Sequence, residues 1–163
     1  MQVTIYTDGS AIGNPGPGGY GVVMSCEGYR KELSQGYRLT TNNRMELLAV
    51  IVALEALKIP QTSATVYSDS QYVVHAVEKE WLFGWEQKRF KNVKNSDLWK
   101  RFLKIYRNHS VSLCWIKGHN NNAENERCDR LAVAAANSNN LLDDVEYVTS
   151  SNTSEEQCQE LFQ

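Results

Sequence analysis

Eight consecutive apolar residues, Leu47–Leu54, constrain this chain more than any other stretch. A helix over about Asn43–Leu57 would carry apolar groups on every side, so it must be buried on every side. Asn43-x-x-Glu46 at its start fits a capping box, and Pro60 closes the segment. Strands stand on either side of it. Val3, Ile5 and Thr7 alternate with Gln2, Thr4 and Tyr6, the period-2 pattern of a strand. Tyr20–Ser25 and Tyr29–Tyr37, joined by a Glu27-Gly28 turn, complete a β-meander. After the helix, Thr65–Ser68 is a fourth strand, and Ser70 opens another helix.

A strand–helix–strand unit implies parallel pairing of the outer strands through a right-handed crossover. The first strand ends in Asp8 and the fourth in Asp69, so the fold brings these two acids to one sheet edge. Ligands bind at that edge in open α/β sheets. Asp8-Gly9-Ser10 taken alone is equally good turn chemistry. Glu46 falls at the start of the buried helix, as a capping partner or as a third acid of the site. The loop Gly13–Gly19 is not a dinucleotide fingerprint, because no helix follows it. It reads as backbone shaped for close approach to something flat or phosphorylated.

The second half adds an aromatic-basic segment. Residues 79–107 hold nine Lys and Arg against three acids, with Trp81, Phe83, Trp85 and Phe90 interleaved. Cations among aromatics suit a nucleic-acid backbone with its sugars and bases; a solvated helical face with Trp81 and Trp85 packed on the core is the plain alternative. Ser96-Asp97-Leu98-Trp99 caps a helix to about Asn108, with Leu98, Phe102 and Ile105 at helical spacing. Val111–Ile116 is the fifth strand. His119 lies in a polar loop, Lys117–Asn122. A last helix, about Ala123–Ala136, has Cys128, Leu131, Ala132 and Ala135 as its stripe. Asp129 sits beside that stripe, where it needs a cation or an arginine such as Arg127, Arg130 or Arg44.

The chain's 163 residues suffice for one domain with a real core. No run of 18 apolar residues occurs, so no membrane span is expected. The chain opens directly on a strand, and no leader is expected. Cys26, Cys114, Cys128 and Cys158 lack CxxC spacing, which suits free thiols in a reducing cytosol. Residues 1–142 carry 17 Lys and Arg against 13 Asp and Glu, whereas residues 143–163 carry six acids and no base. The expected organisation is one domain over 1–137 and an acidic, mostly flexible tail over 138–163. Val145–Val148 and Leu161-Phe162 are the tail's docking candidates. No unexplained apolar stripe is evident, so a monomer is expected.

If Asp8, Glu46, Asp69 and Asp129 converge, they cannot all stay ionised without counterions. Carboxylates with no companion cysteine or histidine cluster select Mg²⁺ or Mn²⁺ over Zn²⁺. Two such ions can serve the attacking water and the leaving oxygen of a phosphodiester. His119, with an ordinary pKa of about 6.5, suits a proton shuttle or product release.

These residues lie in blocks: Thr7-Asp8-Gly9-Ser10, Gly13–Gly19, Thr41–Glu46, Tyr67–Tyr72, Val93–Trp99, Trp115–His119 and Glu124–Asp129. Together they resemble bacterial type 1 ribonuclease H, in order over residues 2–136. The resemblance implies a ribonuclease H-like α/β fold, a five-stranded mixed sheet of order 3-2-1-4-5 flanked by helices on both faces. It implies metal-dependent endonucleolytic cleavage of the RNA strand in RNA–DNA hybrids, leaving 5′-phosphate and 3′-hydroxyl ends. By the same resemblance Asp8, Glu46, Asp69 and Asp129 are the metal ligands and His119 is the loop histidine. Asn14, Asn42, Asn43 and Gln71 match minor-groove contacts, and Thr41 and Asn95 match a pocket for a DNA phosphate. Trp81, Trp85, Lys88 and Arg89 belong to the hybrid-binding protrusion. Two departures stand out: the protrusion is shorter between Phe90 and Val93, and Ala11 replaces a common cysteine. Transposases and junction resolvases share the acids but not the Lys117-Gly118-His119 loop or the aromatic-basic segment. A non-catalytic hybrid-binding module remains the alternative of a different class.

Overall fold

The computed structural model describes residues 1–118 and 120–161, with the backbone alone at 153–156. Strands β1 (Gln2–Ala11), β2 (Gly16–Cys26) and β3 (Tyr29–Thr40) form the antiparallel meander. They are followed by α1 (Asn42–Glu55), β4 (Ser63–Ser68), α2 (Gln71–Glu78), α3 (Trp81–Gln87) and α4 (Ser96–Tyr106). Then come β5 (Ser110–Trp115), α5 (Ala123–Ala136), β6 (Leu141–Leu142) and α6 (Val145–Leu161). Among the described residues no helix is long and apolar enough to cross a membrane.

β4 pairs parallel with β1, and β5 parallel with β4. The sheet runs β5-β4-β1-β2-β3-β6. The expected order 3-2-1-4-5 is present, but the sheet has six strands rather than five. Leu141 and Leu142 pair parallel with Gly36 and Tyr37. Two residues are too few to carry a period-2 signal, so the sequence does not announce this strand. Residues 145–161, to which the sequence reading gave no regular structure, are helical.

The main core fills one sheet face. Ile5, Tyr20, Val22 and Met24 meet α1, whose Leu47, Ala49, Val50, Ile51, Ala53 and Leu54 are wholly buried, and Val66, Trp99 and Phe102 complete the cluster. On the other face α5 rests on a glycine bed. A Cβ at Gly19 would stand 2.6 Å from the Ala132 carbonyl oxygen, and one at Gly21 would collide with the Cys128 carbonyl. Gly19 and Gly21 of the glycine-rich stretch thus serve helix packing, not close approach of a ligand. The alternation in Gly19-Tyr20-Gly21-Val22 gives large residues to α1 and bare backbone to α5.

Gly9 does the same for α1. A Cβ there would run into the Met45–Glu46 peptide, 2.6 Å from the Met45 carbonyl oxygen. Backbone cannot swing aside as a side-chain end can. Gly9→Ala should therefore cost about 3 kcal/mol, at the upper end of overpacking, and push Glu46 away from Asp8. Urea unfolding measures the loss; an unchanged midpoint would contradict this packing.

The residues after α5 are tied to the body by charge. Arg44, with a side chain only 4% exposed, lies between Asp97 and Asp144. Its Nε donates to Asp144 Oδ2 at 2.7 Å and its Nη2 to Asp144 Oδ1 at 2.9 Å. Nη1 and Nη2 also donate to the Asp97 carboxylate at 2.9 and 2.7 Å, and Nη1 to Asn95 Oδ1 at 3.2 Å. All five guanidinium N–H groups are thereby satisfied. Thr40 Oγ1 donates to Asp144, and Arg38 pairs with Asp143, each at 2.8 Å.

Candidate active site

The parallel register pairs Thr7 with Ser68, so Asp8 and Asp69 each stand one residue beyond that pair. Ser70 then caps α2, its Oγ accepting from Val73 N at 3.2 Å. Trp115 Nε1 donates to the Asp69 main-chain carbonyl at 3.1 Å and fixes the strand end from β5. Glu46 comes from the second turn of α1. The expected capping box does not form: Thr41 is the N-cap, its Oγ1 accepting from Arg44 N at 3.2 Å. The helix starts earlier than the spacing suggested, which frees Glu46 from capping. Asp129 comes from the middle of α5, set down by the glycine bed.

One carboxylate oxygen from each of Asp8, Glu46 and Asp69 lies within 4.8 Å of the others. Asp129 lines the same open cavity of about 390 Å³, with Gln71 and Asn43. Two of the three arginines proposed to neutralise Asp129 are engaged elsewhere: Arg44 as above, and Arg127 with Glu32 at 2.7 Å. Gly118 packs so tightly that a Cβ would lie 2.7 Å from Asp69 Oδ2. The 117–118 loop therefore borders the acids; the next residue, His119, is outside the described residues.

Burial pushes the Asp8 carboxyl up to about 7, helped by the charges of Asp69 and Asp129 and opposed by a hydrogen bond with Glu46. Burial, then Asp8 itself, raises Glu46 well above the ordinary range. Glu46 Oε2 is buried with no hydrogen-bond partner. A carboxylate pair that cannot ionise freely, with one orphaned oxygen and a third acid within reach, fits a divalent cation.

Both folded-state pKa values lie above the unfolded ones, so the metal-free fold holds protons that the unfolded chain has lost. Its stability falls as pH rises from about 4 through about 7. A divalent ion bound by these acids would displace those protons and restore the loss. The rise in Tm given by Mg²⁺ should thus be several degrees larger at pH 8 than at pH 6; an equal rise at both would contradict the proton-holding pair.

The nucleic-acid candidates fall into three places. Asn14, Thr41, Asn43 and Asn95 line a second cavity of about 620 Å³ beside the acids, with Lys94 and Tyr147 of α6. Asn42 lines the acid cavity, its Oδ1 accepting from Ala11 N, while Asn14 Oδ1 accepts from Asn42 N at 2.9 Å. These two side chains brace the β1–β2 loop against the start of α1. Lys88 and Arg89 are exposed just past α3. Trp81 is 48% exposed with Lys79 Nζ 5.3 Å from its ring centre. Trp85 packs edge-on to Trp99, centroids 5.6 Å apart, so it is partly a core residue. Sequence reasoning missed the partners of Arg44 and the bridging position of Tyr72. A lone arginine inside an apolar helix was the available signal for Arg44. Nothing in the sequence marked the second.

The RNase H family model matches residues 1–137. A protein named ribonuclease H from Desulforamulus reducens is 56% identical over 149 residues, covering 88% of this chain and 93% of its own. One of the same name from Nitratidesulfovibrio vulgaris is 54% identical over 149 residues, covering 88% and 95%. Among solved structures, LC9-RNase H1, described as a type 1 RNase H with the type 2 active-site motif, is 33% identical. It superposes with a TM-score of 0.75 over 83% of this chain and 72% of that one. LC11-RNase H1, solved in complex with RNA/DNA hybrid, is 31% identical, with a TM-score of 0.63 over 82% and 96%.

Proposed function

This chain belongs to the RNase H family, and we propose that it is an endonuclease that hydrolyses the RNA strand of RNA–DNA hybrids with two divalent ions, to 5′-phosphate and 3′-hydroxyl ends. The observation that carries the reading is the convergence of Asp8, Glu46 and Asp69, with Asp129 on the same cavity wall. Mg²⁺, with Mn²⁺ as a substitute, would be held by these four acids. Bound there, such ions supply an activated water and stabilise the leaving oxygen.

The chain's own residues bring the hybrid to the acids. Asn43 and Gln71 stand at the rim of the acid cavity, placed for minor-groove edges and the 2′-hydroxyls that distinguish RNA from DNA. Thr41 and Asn95 in the neighbouring cavity take a phosphate of the DNA strand, which positions the duplex without reading its sequence. Trp81, Lys88 and Arg89 extend the contact along the backbone. His119 moves a proton during turnover. The RNA/DNA hybrid in the LC11-RNase H1 complex supports the choice of substrate.

The product ends test the chemistry. RNA fragments from cleaved hybrid should be extendable at their 3′ ends by a polymerase without prior phosphatase treatment. Fragments ending in 2′,3′-cyclic phosphate would mean attack by the 2′-hydroxyl and would overturn the reading.

A further inference from the structure

Asn95 occupies the N-cap of α4 in the left-handed region, φ 60°, yet its side chain makes no capping bond. An asparagine at that position ordinarily caps its own helix. Here the amide is drawn to two other groups. Arg44 Nη1 donates to Asn95 Oδ1 at 3.2 Å, and Asn95 Nδ2 donates to the Tyr72 hydroxyl at 3.0 Å. The arginine marks the oxygen end and the tyrosine accepts at the nitrogen end. A flipped amide would set N–H against N–H at Arg44, so only one orientation survives.

Tyr72 is itself fixed. Its hydroxyl also accepts from Trp99 Nε1 at 2.9 Å, and Trp99 is fully buried. Tyr72 lies in the first turn of α2, three residues after Asp69, and lines the acid cavity. One hydrogen bond therefore ties the second cavity to the helix that begins beside a metal-ligand candidate. An amide nitrogen carries two hydrogens, and Tyr72 takes one.

We propose that Tyr72 is a positioning residue for nucleic acid: its hydroxyl orients the Asn95 amide so that the second N–H serves a backbone phosphate of the DNA strand in the 620 Å³ cavity. The proposal rests on Asn95 being a phosphate contact, as under the proposed function. It assigns Tyr72 to binding and not to the bond-breaking step, because the hydroxyl acts through Asn95.

The test is steady-state cleavage of a 20-base-pair hybrid. Tyr72→Phe keeps the ring against Trp99 and removes only the acceptor; KM should rise about fivefold, the effect of one hydrogen bond, with kcat within about twofold. Asn95→Ala should raise KM at least as much, and the double variant should be no worse than Asn95→Ala alone. A further readout uses the wild-type protein. One neutral methylphosphonate walked along the DNA strand should raise KM at a single position, and Asn95→Ala should lose that penalty. Additive effects in the double variant would overturn the proposal. If Asn95→Ala leaves KM untouched while hybrid is still cut, the phosphate role of Asn95 falls and this proposal with it. Absence of any hybrid cleavage by the wild type would instead sink the proposed function itself.

Discussion

Asp69→Asn should lower hybrid cleavage about 10³-fold or more in Mg²⁺, a loss of several kcal/mol of transition-state stabilisation, while the protein stays folded and still binds hybrid. The substitution keeps shape and removes a charge. The contact that anchors the end of β4 runs from Trp115 Nε1 to the main-chain carbonyl of Asp69, so it survives. Asp69 also contributes to the raised Asp8 and Glu46 carboxyls. Without its charge the metal-free cluster repels itself less, and Tm without metal should not fall. Cleavage of labelled hybrid beside a binding assay in EDTA checks both halves. Turnover within tenfold of wild type would show that Asp69 is not a ligand. A fall in Tm of more than a few degrees would show that its role is structural.

Arg44→Ala should have the largest effect on stability, about 3–5 kcal/mol. The loss is not that of a surface ion pair. Removing the guanidinium leaves Asp97 and Asp144 facing each other, partly buried, without their cation. Burial would raise Asp97, yet the hydrogen bonds from Arg44 outweigh it and hold its carboxyl below the usual range. A depressed folded-state pKa stabilises the fold above the unfolded pKa of about 4 and loses that contribution as pH falls through the folded value. Wild-type stability should therefore drop in acid partly through this pair, and Arg44→Ala should remove that component. The same change frees Asn95 Oδ1 and unfastens the link from α1 to the residues before α6. Urea unfolding at pH 7 and pH 4 measures it; a loss under 1 kcal/mol at pH 7 would mean that water or another cation replaces Arg44.

The sequence foretold which acids meet better than it foretold what holds them. Asp8 and Asp69 were placed together by topology alone, because parallel strands joined by a buried helix must end on one edge. Glu46 was found for a partly wrong reason. Its spacing from Asn43 suggested a cap, but Thr41 caps α1, and boundary rules resolve a helix start only to a residue or two. The same slip at α4 put the cap at Ser96 when Asn95 holds it, which hid the unusual use of the Asn95 side chain. Gly19 reads as the end of a ligand loop, since sequence shows that a side chain is missing but not what fills the space. The sequence offers Arg44 as one partner for Asp129. Arg44 sits beside Asp97 and Asp144 because β3 and the residues after α5 meet at β6, a pairing of two residues with no signal of its own. Long-range partners of a single charge depend on the finished fold. Short-range period and strand order do not, and these were the legible parts.

The central claim is that the four acids form a divalent-metal centre that cuts RNA paired to DNA. The direct measurement is cleavage of three end-labelled 20-base-pair duplexes, RNA–DNA, RNA–RNA and DNA–DNA, each with Mg²⁺ and with EDTA. The account predicts cuts only in the RNA of the hybrid, and only with the metal. Tight binding of hybrid with no cuts in either Mg²⁺ or Mn²⁺, or equal cutting of double-stranded RNA, would contradict it.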